Sequence, residues 1–115
     1  MKTAEMTGSD LNYWVGRALG LTSNTREGIK GVFIAVFLAG ETGLDIQTEE
    51  DETFEPSTNW AHGGPIIERE KIRLTPEENG WGAWSGRASW FGPTPLMAAM
   101  RAFVGRKFGP EVPEA

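Results

Sequence analysis

His62 is the only histidine of the 115-residue chain, and it lies in the stretch PSTNWAHGGPIIERE, residues 56–70. Ser57, His62 and Glu68 are the residue types of a nucleophile, a base and an orienting acid, which together carry the proton transfers of acyl hydrolysis. The chain has no G-x-S-x-G elbow to present such a serine, and nothing in the spacing requires the three to meet. Metal chemistry has as little to work with, since there is no cysteine and no D-x-D or H-x-x-E pattern to gather carboxylates. The same stretch suits binding better. Gly63-Gly64 lets a backbone come close to a ligand, Trp60 offers a ring for stacking or for a partner's pocket, and Ser57 and Asn59 are hydrogen-bonding groups. The plainer alternative is a tight turn in which Ser57 and Asn59 bond their own backbone and Trp60 fills the core.

Three further groups could do chemistry. Read as a strand from Ile66, the chain puts Glu68 and Glu70 on one face with Ile66, Ile72 and Leu74, where apolar surroundings would raise a carboxylate pKa. The opposite face would carry Arg69, Lys71 and Arg73 beside Arg87, a set able to contact phosphates. Gly92-Pro93-Thr94-Pro95 opens a helix whose amino end favours an anion, although Thr94 is itself an ordinary cap.

Composition bounds these readings. At 39% hydrophobic and 23% charged, the chain has the balance of one globular domain over 1–115 with no dividing linker. The formal charge is −5, yet residues 41–55, ETGLDIQTEEDETFE, carry seven acids and no base, so the rest sums to about +2. An acidic loop is expected there, and the negative total argues against nucleic acid as a partner. The absence of cysteine excludes disulfides and thiolate chemistry. The longest apolar run, Val32 to Leu38, is far short of the roughly 20 residues that span a bilayer, so no membrane segment is expected.

The elements that must position these residues follow from pattern. TGSD resembles a capping box, and Leu11, Trp14, Val15 and Ala18 recur at helical spacing before Gly20, which predicts a helix over 8–19. VFIAVFL, residues 32–38, reads as a buried strand or a short core helix. A strand from Ile66 and a second one running through Trp84, Gly86, Ala88 and Trp90 would pair antiparallel across TPEENG, with Asn79-Gly80 suited to positive φ. Thr94, Pro95 and Gly109-Pro110 bracket a last helix whose apolar stripe leaves Arg101 and Arg106 for solvent, and residues 110–115 read as a flexible tail. The order implies an α+β fold, a small antiparallel sheet packed with an N-terminal and a C-terminal amphipathic helix.

PSTNWAHGGPIIERE, the following GAW strand, GPTPLMAAMRAFV and the first helix TGSDLNYWVGRALG together resemble the NinX-like family of small proteins of tailed phages and prophages. The likeness covers about two-thirds of the chain, with residues 25–55 matching less closely. It implies a phage accessory protein working in the bacterial cytoplasm and supplies no mechanism, ligand or catalytic residue. The sequence therefore favours a non-enzymatic interaction module without cofactor or metal, meeting a host or phage protein through Ser57, Asn59, Trp60, His62, Gly63, Gly64 and Glu68. The alternatives are a small-molecule or nucleotide-like ligand in the same loop, and nucleic acid on Arg69, Lys71, Arg73 and Arg87.

Overall fold

A computed structural model describes residues 1–20 and 54–112. The run at 32–38 and the acidic stretch up to residue 53 lie outside the described residues. Within them the architecture is α+β: a 3₁₀ turn at Thr3–Glu5, helices α1 (Gly8–Ala18), α2 (Trp60–Glu70) and α3 (Pro95–Phe108), and strands β1 (Arg73–Glu77), β2 (Gly80–Ser85) and β3 (Ala88–Gly92). The helix count is three rather than the two read from pattern.

The strands form one antiparallel meander in the order β1-β2-β3. Arg73 pairs with Trp84 and Thr75 with Gly82 across the first hairpin, and Gly82 pairs with Phe91 and Ala83 with Trp90 across the second. Strand alternation then sorts Leu74, Trp81, Ala83, Trp90 and Gly92 to one face and Arg73, Thr75, Glu77, Gly82, Trp84 and Phe91 to the other. The expected single strand from Trp84 to Trp90 is two strands. Gly86 at φ +67° opens a two-residue Gly86-Arg87 turn, which suits a type II′ hairpin and sends Trp84 and Trp90 to opposite faces. Neither Asn79 nor Gly80 takes positive φ at the other turn.

Helix α3 lies across the face of Trp90 and Gly92, and small residues set the approach. A β-carbon at Gly92 would stand 2.5 Å from the Ala98 amide, and one at Gly105 would enter the Trp90 ring at 2.1 Å. Helix α1 covers the other side of α3 with Leu11, Trp14, Val15 and Ala18, all buried at the spacing that predicted the helix. Trp14 meets Phe108 edge to face at 5.4 Å. Held between helix and sheet, α3 is buried continuously from Ala98 to Gly105, so the narrow stripe expected of it is too narrow. Its caps agree with the sequence: Thr94 Oγ1 accepts from the Met97 amide at 3.2 Å, with Pro95 first in the helix. Thr7 precedes α1 but makes no side-chain cap, so the TGSD box does not close.

The chain ends of the described region are joined. The Met1 ammonium donates to the Val112 carbonyl and the Val112 amide to the Met1 carbonyl, each at 2.9 Å, and the Thr3 amide donates to the Pro110 carbonyl. Residues 110–112, expected in a flexible tail, are thus paired with residues 1–3, and Val112 is buried. Phe54, counted with the acidic run, is likewise a core residue.

Arg101 corrects the sequence most sharply. Placed on the solvent side by pattern, it is only 8% exposed; its Nε donates to the Met6 carbonyl and a terminal guanidinium nitrogen to the Phe91 carbonyl, both at 3.0 Å. The bonds tie the N-terminal segment and the end of β3 to α3. Burial lowers the guanidinium pKa from its ordinary value. Replacing Arg101 by Met keeps the aliphatic packing but strips both carbonyls of their donor, and should lower unfolding free energy in urea by about 2–4 kcal/mol. Arg101→Lys should recover part of that loss, whereas a Met variant within about 0.5 kcal/mol of wild type would contradict the role.

Candidate functional site

Residues 60–70 are a helix, entered from a turn at 56–58, where a loop and a strand were expected. Asn59 is the N-cap: its Oδ1 accepts from the Ala61 amide at 2.9 Å, and its carbonyl accepts from the amides of His62 and Gly63. His62, Gly63 and Ile66 then form the buried stripe, while Glu68 and Arg69 are exposed and Glu70 half-buried. Gly63, Gly64 and Pro65 disfavour a helix interior, and tertiary contact overrides them. Gly63 is required by packing, because a β-carbon there would lie 2.5 Å from the Pro56 carbonyl oxygen and 2.6 Å from Leu96. The helix stops at Lys71 in the left-handed region (φ 53°), and the Ile72 amide returns to the Ile67 carbonyl. The alternation that suggested two sorted faces was therefore a helical surface ending in a turn.

This placement divides the candidate residues. His62 is fully buried, its ring 5.6 Å from that of Phe54 and tilted 34° to it, and its Nδ1 accepts from the Glu55 amide at 2.9 Å, which puts the ring proton on Nε2. The Ser57 amide donates to Asn12 Oδ1 at 3.0 Å and its hydroxyl is enclosed with no hydrogen-bond partner. Glu68, six positions beyond His62 on the same helix, is displaced by about 9 Å along the axis and about 240° around it. Ser57, His62 and Glu68 thus do not assemble as nucleophile, base and orienter. Among the described residues no group of three or more His, Asp or Glu side chains could hold a metal ion.

The four cations do not share a sheet face either. Arg69 is on α2 with its Nε 2.9 Å from Glu70, Lys71 caps that helix, Arg73 begins β1 and Arg87 sits in the β2–β3 turn. Arg73 lies over the Trp84 ring at 5.2 Å, an internal cation–π contact.

Of the residues proposed for binding, Trp60 and Glu68 remain outward, and Trp60 is the apolar one. At 54% exposed it is the most exposed of the large apolar side chains in the described residues. Its indole lies along α2 about one turn from its own Cα, in contact range of the Gly64 position. Beside it Thr58, Thr94, Pro95, Leu96 and Met97 line a cleft of about 230 Å³ where the first turns of α2 and α3 meet. A family model described as Bacteriophage P22, NinX matches residues 2–107. The chain belongs to the NinX family. The match spans every described helix and strand but the last residue of α3, and so includes the residues that line the Trp60 cleft. No curated protein matches the sequence significantly.

Sequence reasoning chose Trp60, Asn59 and His62 for one loop; the structure uses Asn59 and His62 to hold main chain and leaves Trp60 free of that duty. Thr94 and Pro95 were singled out only as the amino end of a helix, and Leu96 and Met97 only as its buried stripe; that this wall stands beside residues 57–60 is visible only in the fold. Asn59→Ala should destabilise the protein by about 1 kcal/mol in urea denaturation through loss of the α2 cap. An unchanged midpoint would show that the Ala61 amide has another acceptor.

Proposed function

We propose that this NinX-family chain is a phage accessory protein that works as a non-enzymatic interaction module in the bacterial cytoplasm, with Trp60 as the anchor that enters a partner. The exposed indole beside an apolar cleft carries this reading. Tryptophans at the rim of an apolar depression are the side chains that dominate protein–protein affinity. The cleft's volume, about 230 Å³, falls below the roughly 300–1,000 Å³ of small-molecule pockets, which favours a protein surface over a metabolite. Among the described residues no helix is long and apolar enough to cross a membrane. Dispersal of Arg69, Lys71, Arg73 and Arg87 over separate elements weakens the nucleic-acid alternative, since salt-dependent binding needs cations gathered on one surface.

Immobilised protein exposed to a lysate of phage-infected bacteria should retain at least one host or phage protein that Trp60→Ala loses. The same variant should cost no more than about 2 kcal/mol of stability, because the indole is about half exposed already. Full retention of the bound protein by Trp60→Ala, or a stability loss above about 4 kcal/mol, would contradict an anchoring role.

A further inference from the structure

The outer face of the sheet, opposite α3, is built around a row of missing side chains. Along β2 the outward positions are Gly80, Gly82 and Trp84, so the central strand adds one indole to this face and its glycines are covered by side chains of the flanking strands, Gly82 to the point of burial. The flanking strands lean in over it. Phe91 reaches across Gly80, where a β-carbon would stand 2.6 Å from its ring, and Glu77 and Thr75 reach over Gly82, where one would stand 2.7 Å from Glu77 Oε1 and 2.8 Å from Thr75 Oγ1. Thr75 Oγ1 and Glu77 Oε1 are 3.4 Å apart. The result is an open cleft of about 450 Å³ with Gly82 in its floor, Trp84 and Phe91 as aromatic walls and Glu77, Glu78 and Asn79 at the rim. Phe91 remains 47% exposed, with its ring on the same sheet face as the Glu77 carboxylate.

Aromatic faces beside a carboxylate suit a cation with an apolar, planar body. Ammonium groups satisfy the charge alone, whereas a guanidinium can stack on the indole and donate to the carboxylate in the same pose. Outward neighbours two residues apart on a strand are about 6.5–7 Å apart, which is the span from a ring stacked at Trp84 to an acceptor held over Gly82. The Trp84 ring already receives a guanidinium from within the chain, that of Arg73 at 5.2 Å. Glu77 and Glu78 on the cleft rim set the sign of the partner locally, since the chain's formal charge of −5 comes from residues 41–55 and not from this face. Sheet aromatics also stack on unpaired bases, but Glu77 and Glu78 would repel the phosphates that accompany them.

We propose that the Gly82 cleft, with Glu77, Glu78, Trp84 and Phe91, is a docking site for an arginine side chain on an exposed segment of a basic protein partner. It is a different surface from the Trp60 cleft and stands independently of that reading. The occupant is recognised by its guanidinium, so its affinity falls as ionic strength rises.

The test is titration of the full chain with a capped glycine–arginine peptide, followed by backbone-amide and indole NMR shifts. The expected outcome is a weak, saturable interaction, with Kd in roughly the 0.1–1 mM range, that moves the signals of Gly82, Trp84 and Phe91. The same peptide with citrulline in place of arginine should move none of them. Glu77→Gln with Glu78→Gln should weaken binding by about tenfold, Phe91→Ala should weaken it as well, and Trp60→Ala should leave it unchanged. Equal response to the citrulline peptide, or no response to either, would overturn the proposal. So would preferential binding of oligo-deoxythymidine at these signals, which would make the cleft a base-stacking surface. Concentration-dependent movement of the same signals without peptide would name a second copy of the chain as occupant and overturn it equally.

Discussion

The approach of α3 to the sheet is the constraint on which the other features depend. Bulk is removed at both ends of the contact: at Gly92 the strand backbone meets the helix backbone at Ala98, and at Gly105 the helix backbone makes room for the Trp90 indole. A helix seated this closely consumes the whole inner face of a sheet of only three strands and leaves the outer face uncovered by any described helix. It also fixes α2, because Leu96 in the first turn of α3 abuts Gly63, and that contact brings Trp60 beside Thr94 and Met97. Both candidate surfaces are therefore consequences of one packing decision.

A buried cation completes that arrangement. The Arg101 guanidinium bonds main-chain carbonyls of the N-terminal segment and of β3 from within α3. An isolated buried charge is costly, and each hydrogen bond to a charged group returns about 1.5–3 kcal/mol, so the bonds are what make the burial tolerable. Their directionality adds what apolar contact lacks: they set the azimuth at which β3 and the Met6 segment meet the helix. The paired chain ends at Met1–Thr3 and Pro110–Val112 close the same side of the molecule.

Much of this frame is legible in residue patterns, for reasons that mark where legibility stops. Helix α1 and helix α3 carry apolar periodicity together with their own stops, Gly20 at φ +93° and Gly109 with Pro110, so local signals and burial agree. In α2 they disagree: a Gly-Gly-Pro interior looks like a turn, and Ile66, Ile72 and Leu74 mimic strand alternation although a left-handed Lys71 separates helix from strand. The signal that would have found α2 was Asn59 as a cap, followed by His62, Gly63 and Ile66 at helical spacing. Trp84 and Trp90 appear to share a face only if the Gly86-Arg87 turn is overlooked, and overlooking it hides the outer cleft. Arg101 was unreadable, because nothing local tells an arginine that its acceptors lie on segments distant in sequence. For the candidate site, the choice of Trp60 survives as a proposal, while the roles of Asn59, His62 and Gly63 depended on contacts with Ala61, Glu55, Pro56 and Leu96 that only the fold creates.

The measurement that bears most directly on the central constraint is the sign of the stability change for Gly105→Ala. In an ordinary helix interior that change stabilises by roughly 0.5–1 kcal/mol, because alanine loses less backbone entropy. Here the added methyl would enter the Trp90 ring, so urea denaturation should show a loss of about 1–3 kcal/mol, accompanied by a change in tryptophan fluorescence of the native state. A variant more stable than wild type, with an unaltered spectrum, would contradict the close approach of α3 to the sheet.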